Sequence, residues 1–163
     1  MTLKQILRLL VVILGLLVLL GTTVFLVLRW SGIPEQIPAH FDGAGHIDGY
    51  ESKDSLIGLL VLAWVFWLLM IVLARVPRLL KQNGGFMRVN AIRFGGTKLE
   101  PTPLSLELTG LALALLFGYL TLCSALCRNL GGWFLPVSLI AVLLAMLVPS
   151  LLERLTIKSQ DPR

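Results

Sequence analysis

The 163-residue chain is 56% hydrophobic, has a mean hydropathy of +0.87 and contains only 14% charged residues. Soluble domains average roughly 45–50% apolar and about 25% charged residues, and no soluble fold of this size buries so much apolar surface. A soluble globular domain is therefore excluded, and the net charge of +5 does not indicate nucleic-acid binding, because the basic residues flank apolar segments.

Four apolar segments predict an all-α integral membrane protein, with four transmembrane helices forming a single bundle over residues 1–163. The first segment, residues 9–28, contains 16 Leu, Ile, Val or Phe residues among its 20 and no charge. It matches a hydrocarbon core of about 30 Å, and it is too long for the apolar region of a signal peptide. Thr102 and Pro103 are suited to begin the third helix, as N-cap and first helical residue. The remaining spans are predicted at residues 56–74, 104–127 and 133–152.

The charges between these segments predict how the spans are oriented. Lys4 and Arg8 precede the first span, and residues 75–103 carry six Lys or Arg residues and a net charge of +5. Residues 29–55 carry two basic and five acidic residues, a net charge of −3. By the positive-inside rule, both termini and the basic loop 75–103 lie in the cytoplasm, and residues 29–55 are extracytoplasmic. Within the basic loop, residues 83–96 mix apolar and basic side chains, which fits a lipid-interface segment, a short strand pair or a partner-binding loop.

Small residues recur every four positions in the third predicted span, at Gly110, Ala114 and Gly118. Such a stripe lets another helix backbone approach closely, so these residues are predicted to form a helix-packing site. The partner is another span or a second protomer of a homo-oligomer. The connection 128–132 is only five residues long, which predicts that the third and fourth spans form an antiparallel hairpin.

Three further residues of the third span invite a functional reading. Cys123 and Cys127 are spaced i, i+4, so they are expected to share a helix face and to pack between helices. Glu107 is the only acidic residue within a predicted span. Exposure at the membrane interface near the helix N-terminus explains it, and the alternative is that Glu107 and the Gly110 stripe line the path of a small transporter or channel.

The extracytoplasmic segment places four potential metal ligands within nine residues, at His40, Asp42, His46 and Asp48. Imidazole and carboxylate suit zinc, so a metal-binding or metal-handling protein is one hypothesis. The spacing matches no zinc motif, however, and the alternative is that the aspartates cap turns while His40 bonds to loop backbone. No serine or cysteine nucleophile with a paired base accompanies these residues, so we expect no enzyme and no obligatory cofactor.

The same segment, with the sequence IPEQIPAHFDGAGHIDGYESK, resembles the signature of the domain of unknown function 1648 family, a two-span module also found at the start of bacterial SdpI-type immunity proteins. The resemblance covers about residues 8–75, and the second half lacks the further motif of the SdpI-type proteins. The matching residues are Pro34, Ile37, Pro38, His40, Phe41, Asp42, Gly45, Asp48, Gly49, Ser52 and Lys53.

This resemblance implies a multi-pass protein of the bacterial inner membrane whose first loop lies outside the cytoplasm. Together with the scarcity of polar residues in the spans, it predicts a non-enzymatic protein of the immunity or signalling type. Its outer loop is expected to bind a peptide or protein ligand while the spans contact lipid. The residues predicted to take part in this binding are Pro38, His40, Phe41, Asp42, Gly45, Asp48 and Gly49.

Overall fold

The computed structural model describes residues 2–82, 92–94, 97–99 and 101–159 of the chain. The long helices of this part are α1 (Leu3–Arg29), α2 (Ser55–Gln82), α3 (Pro103–Ala125) and α4 (Phe134–Ser159). Between them lie two antiparallel hairpins, β1 (Gln36–Phe41) with β2 (Ile47–Ser52), and β3 (Ile92–Phe94) with β4 (Thr97–Leu99). A short 3-10 helix, Trp30–Gly32, follows α1.

Each of the four helices contains a segment that is long and apolar enough to cross a membrane. The prediction of a four-span, all-α membrane protein is therefore confirmed. The first span begins earlier than predicted because Thr2 caps α1. Its hydroxyl accepts a hydrogen bond from the Gln5 N–H, and the Gln5 side chain accepts one from the Thr2 N–H. The apolar segments are Leu3–Gly32, Ser55–Val76, Pro103–Ala125 and Phe134–Glu153.

Helix α3 is the central helix of the bundle, since it contacts α1, α2 and α4, whereas α1 and α2 contact each other only sparingly. Its small residues provide the close approach. A Cβ atom added to Gly110 would lie 3.1 Å from the Met70 Cβ of α2, and one added to Gly118 would lie 3.2 Å from the Thr22 hydroxyl of α1. Ala114, between them, is fully buried. The partners of the predicted stripe are thus two helices of the same chain, α1 and α2.

The C-terminal end of α3 is a Schellman motif. The Arg128 N–H donates to the Cys123 carbonyl at 2.9 Å, and the Cys127 N–H donates to the Ser124 carbonyl at 3.1 Å. Cys127 occupies the left-handed position of this motif, with φ = 51°, where glycine is usual. The expectation that Cys123 and Cys127 share a helix face is wrong, because α3 ends at Ala125. Cys123 is buried and Cys127 is exposed.

A candidate recognition site at the hairpin end of the bundle

The two ends of the bundle carry different chemistry. At one end, Arg8 near the start of α1 forms an ion pair with Glu107 near the start of α3, so these two helices run parallel. At the opposite end lie the hairpin β1–β2 and the connection between α3 and α4, which contact each other. We call these the ion-pair end and the hairpin end.

The ion pair at the first end is bidentate. Arg8 Nε donates to Glu107 Oε2 at 2.8 Å, and Arg8 Nη2 donates to Glu107 Oε1 at 2.6 Å. The Glu107 side chain is 2% exposed and that of Arg8 is 16% exposed. The expectation that Glu107 is exposed at the membrane interface is therefore wrong, because α1 covers the carboxylate and supplies its counter-charge.

At the hairpin end, the turn between β1 and β2 is built on the carboxylate of Asp42. Asp42 Oδ1 accepts hydrogen bonds from the backbone N–H groups of Ala44 and His46, both at 2.8 Å. The hydrogen bond from the His46 N–H is the largest cause of a lowered Asp42 pKa, since it stabilises the charged carboxylate. Gly45 then adopts φ = +80°, a left-handed conformation that favours glycine. Asp42 thus caps the turn, which was one of the two roles expected for it.

This turn is seated on the connection between α3 and α4. The Leu130 N–H donates to the Gly45 carbonyl at 2.9 Å, and the Ile47 N–H donates to the Asn129 side-chain oxygen at 3.1 Å. The backbones approach so closely that a Cβ atom on Gly45 would lie 2.7 Å from the Gly131 carbonyl oxygen. We call this set of interactions the docking contact. It joins the first polar segment of the chain to the last connection of the bundle.

The underside of the hairpin is apolar and packs onto the helix ends. Ile37 is 1% exposed and belongs to a buried cluster with Leu26 of α1, Ile33 just after the 3-10 helix, Leu56 of α2 and Ala125 of α3. Pro38 is also buried. At the base of the hairpin, Lys53 forms a 2.7 Å ion pair with Glu35 and lies 5.5 Å from the centroid of the Trp30 ring. The hairpin is therefore held both at its turn and along its base.

The four predicted ligand residues separate into pairs instead of converging. His46 Nδ1 lies 3.3 Å from Asp42 Oδ2, whereas His40 Nε2 lies 3.3 Å from Glu51 Oε1. His40 thus contacts a side chain, not the loop backbone, and the Asp48 side chain forms no hydrogen bond with any residue that the structure describes. Within that part of the chain, no three His, Cys, Asp or Glu residues are grouped as metal ligands would be.

The remaining residues of the predicted outer-loop site hold the hairpin together. Phe41 lies opposite Ile47 in the strand pairing, and His40 lies opposite Gly49. The His40 ring covers Gly49 so closely that a Cβ atom there would lie 2.9 Å from the His40 Cβ. Of the predicted set, His40 and Asp48 are exposed, whereas Pro38 and Gly45 are buried and have structural roles.

Sequence reasoning missed the partner of the hairpin. Asn129, Leu130 and Gly131 follow the third span and were interpreted only as a short connection. The available signal was the sequence Asn-Leu-Gly-Gly directly after a predicted helix end, since adjacent glycines permit close backbone approach. The exposed residues Tyr50 and Glu51, on β2, were also absent from the predicted site.

Four apolar helices, of which α3 is the central one, and a polar hairpin at one end define a multi-pass helical membrane protein. Residues 17–73 match the family described as Domain of unknown function (DUF1648), the family that the motif of the outer segment predicted. The match extends from α1 through the hairpin into α2, and it leaves α3 and α4 outside. Searches of curated proteins and of solved structures found no match to the chain.

Proposed function

We propose that the hairpin end faces the outside of a bacterial inner membrane and that the exposed side of the hairpin binds a peptide or protein partner. The protein acts in this proposal without catalysis, in an immunity-like or signalling-like role. The observation that carries the proposal is the docking contact. It fixes a polar, charged hairpin to the bundle at a point outside the four apolar segments.

The construction of the hairpin supports recognition. A binding surface gains affinity when it is ordered before its partner arrives, because less conformational entropy is lost on association. The turn is held by Asp42 and by the docking contact, and the base is held by Lys53. Other side chains of the hairpin remain exposed: Tyr50 is 61% exposed, and His40 and Asp48 are exposed as well.

The charge distribution supports the orientation. Residues 29–55 have a net charge of −3, whereas residues 75–103 have a net charge of +5. Lys and Arg residues near the ends of spans are retained on the cytoplasmic side. The hairpin end is therefore assigned to the outside, and the ion-pair end to the cytoplasmic side.

The transporter and metal hypotheses gain no support from the described helices. Both oxygens of Glu107 are engaged by Arg8, and four of the buried hydroxyls bond to carbonyl groups of their own helices. These hydroxyls belong to Thr22, Thr109, Thr121 and Ser150. The histidines of the outer segment lie in two separate pairs and so do not form a shared cation site.

The orientation is tested with single cysteines in a background that carries Cys123→Ala and Cys127→Ala. We expect His40→Cys to react with a membrane-impermeant maleimide in intact cells. Lys4→Cys, at the ion-pair end, serves as the matched control and should react only after the membrane is permeabilised. The reverse labelling pattern would refute the orientation.

Recognition itself is tested in a strain that lacks the gene and shows a measurable phenotype. The double variant His40→Ala, Asp48→Ala removes two exposed side chains and leaves the Asp42 turn intact, and it should fail to complement while reaching the membrane in normal amounts. Gly43→Ala is the matched control, because a Cβ atom at Gly43 meets nothing within 4 Å. Full complementation by the double variant would contradict the proposal.

A further inference from the structure

The two strands of the hairpin differ in their surroundings. Strand β1 contacts α3, whereas the exposed residues of the hairpin are concentrated on β2, where Asp48, Tyr50, Glu51 and Ser52 are exposed. A strand edge presents unpaired N–H and C=O groups that can accept a further strand. The open edge of β2 is therefore the candidate surface at which the hairpin would bind a partner.

The register of the hairpin shows which groups point to this edge. Tyr50 lies opposite Pro38, and Ser52 lies opposite Gln36. Because proline has no N–H, Tyr50 and Pro38 cannot exchange hydrogen bonds and must form a non-hydrogen-bonded pair. The N–H and C=O of Tyr50 consequently point away from β1. With a period of two, the backbone groups of Ser52 point the same way, and the Lys53 N–H, which donates to the Glu35 carbonyl at 3.0 Å, points inward.

The start of this edge is already used once within the chain. The Ile47 N–H donates to Asn129, so the connection between α3 and α4 terminates the edge at its first residue. From Asp48 to Ser52 no described residue donates to or accepts from the outward-facing backbone. The open stretch is thus five residues long, which is close to the usual length of a β-strand.

The charges along this stretch indicate which kind of strand would pair with the open edge of β2. Asp48 has no ion-pair partner among the described residues, and the Glu51 side chain is 49% exposed beside His40. The stretch 48–52 contains no basic residue. A second copy of β2 would add two more acidic side chains to this edge without neutralising the first two, whereas a basic strand would be complementary.

Resting on the proposed function, we propose that the partner is an extended, basic peptide segment that adds to the outer edge of β2 as a third strand. Main-chain hydrogen bonds to Tyr50 and Ser52 hold the segment, and its side chains are read by their neighbours on β2. Asp48, which lies at a register shift of the hairpin, and Glu51 are three residues apart. An added strand that pairs with β2 residue by residue places their partners three residues apart as well.

This geometry specifies a short sequence pattern. In antiparallel addition, the incoming residues meet Glu51, Tyr50, Gly49 and Asp48 in that order. The pattern is a basic residue, an aromatic or apolar residue, any residue, and a second basic residue. Parallel addition reads the same pattern in reverse. The aromatic or apolar position follows from the exposed Tyr50 ring, because aromatic cross-strand pairs are favourable.

The experiment selects phage-displayed random decapeptides against the full-length protein in phosphatidylcholine nanodiscs, after removal of phage that bind empty nanodiscs. We expect enriched peptides to carry two basic residues three positions apart. The selected peptide is then synthesised and its affinity measured for two variants at one position. Tyr50→Pro removes the outward N–H at a place where an edge strand tolerates proline, and Tyr50→Ala keeps it.

Tyr50→Pro should weaken peptide binding about tenfold or more, and Tyr50→Ala should weaken it less. Protection of the Ile47 amide from hydrogen exchange reports whether the docking contact survives in each variant. Should Tyr50→Pro disturb the hairpin, peptides methylated at alternate backbone nitrogens replace it. Methylation on the edge facing β2 should abolish binding, and methylation on the other edge should not.

The inference is overturned if no peptide is enriched, if the enriched peptides lack the basic pattern, or if both methylated peptides bind equally. Dissociation of a protein dimer by Tyr50→Pro would assign the edge to a second copy instead. Complementation separates this inference from the proposed function. If Tyr50→Pro complements while the His40 and Asp48 double variant does not, recognition stands and strand addition fails.

Discussion

Arg8 and Glu107 are 99 positions apart in the sequence and form a bidentate ion pair inside the bundle. The pair joins α1 to α3, and α3 lies beyond the match to the family domain. Its carboxylate is almost fully buried, so the guanidinium is its source of compensation. Buried charges with both partners present are tolerated, whereas a single buried charge is costly.

Removal of either partner of this pair should therefore destabilise the protein strongly. We expect Arg8→Ala and Glu107→Ala each to lower the free energy of unfolding by about 3–5 kcal/mol. In each variant the remaining charged side chain loses its partner inside the bundle. The double variant Arg8→Met, Glu107→Leu should lie much closer to the wild type. Denaturant titration in mixed detergent micelles measures all three, and equal losses in the single and double variants would contradict this interpretation.

The contact between α3 and α1 at Gly118 should be intolerant of bulk. A Cβ atom there meets Thr22 at 3.2 Å and Val18 at 3.4 Å, so Gly118→Leu must separate the helices. Overpacking of this kind costs about 1–3 kcal/mol. The matched control is Gly58→Leu on α2, where a Cβ atom meets nothing within 4 Å. Thermal unfolding in detergent should show a lower midpoint for the first variant than for the second.

The turn at Asp42 should weaken in acid. Folding lowers the Asp42 pKa because the His46 and Ala44 N–H groups donate to the carboxylate. Its stabilising effect is therefore fully present above the ordinary aspartate pKa of about 3.9 and is lost as the pH falls through the lower folded value. Amide-exchange protection at Ala44 and His46 measures this loss.

Two variants separate the charge of Asp42 from its position. Asp42→Asn keeps an acceptor oxygen but cannot titrate, so the protection at Ala44 should be smaller and independent of acidic pH. Asp48→Asn changes an exposed carboxylate without hydrogen bonds among the described residues and should leave the pH profile of the turn as in the wild type. An unchanged profile in Asp42→Asn would assign the acid transition to another group.

The docking contact should depend on the absence of a side chain at Gly45. Gly45→Ala places a Cβ atom 2.7 Å from the Gly131 carbonyl oxygen and also imposes a left-handed conformation on alanine. We expect loss of exchange protection at the Leu130 amide, which donates to the Gly45 carbonyl, and a stability loss of about 1–3 kcal/mol. Gly43→Ala, two residues earlier in open space, should preserve that protection.

Cys127 offers a stabilising substitution. It occupies the left-handed position of the Schellman motif at φ = 51°, which costs a non-glycine residue about 1 kcal/mol relative to glycine. Cys127→Gly should therefore raise the unfolding midpoint, and Cys127→Ala, which keeps the Cβ atom, should not. A midpoint raised equally by both variants would point to the thiol instead of the backbone.

The sequence was sufficient for the spans because their signal is local. A run of about twenty apolar residues is long enough to cross the hydrocarbon core as a helix. The Thr102–Pro103 pair marked the start of α3 correctly. Gly110 and Gly118 lie where α3 closely approaches α2 and α1, and the need for small residues at such places is visible in their spacing. Where each stripe residue packs was not predictable, since nothing local names the opposing helix.

The errors and omissions concern contacts between distant residues. The sequence prediction for Glu107 rests on its position near the end of a span, and that for Arg8 on the positive-inside rule alone. The structure joins the two residues in an ion pair. The outer loop was recognised by its motif, but its strands were missed because Pro38 and the glycines interrupt the usual alternation. The docking contact joins residues about 85 positions apart, and such pairings leave no periodic signal.

The central place of α3 has a consequence for biogenesis. When the ribosome has produced the first two helices, α3, whose small residues contact both of them, has not yet been synthesised. The connection to which the hairpin bonds is also still missing. These helices leave the translocon with no partner between them, so the half of the chain that carries the family domain stays an unfinished intermediate until synthesis passes residue 132. Truncation before α3 should expose this half to membrane proteases, and supplying α3–α4 as a separate polypeptide should rescue it.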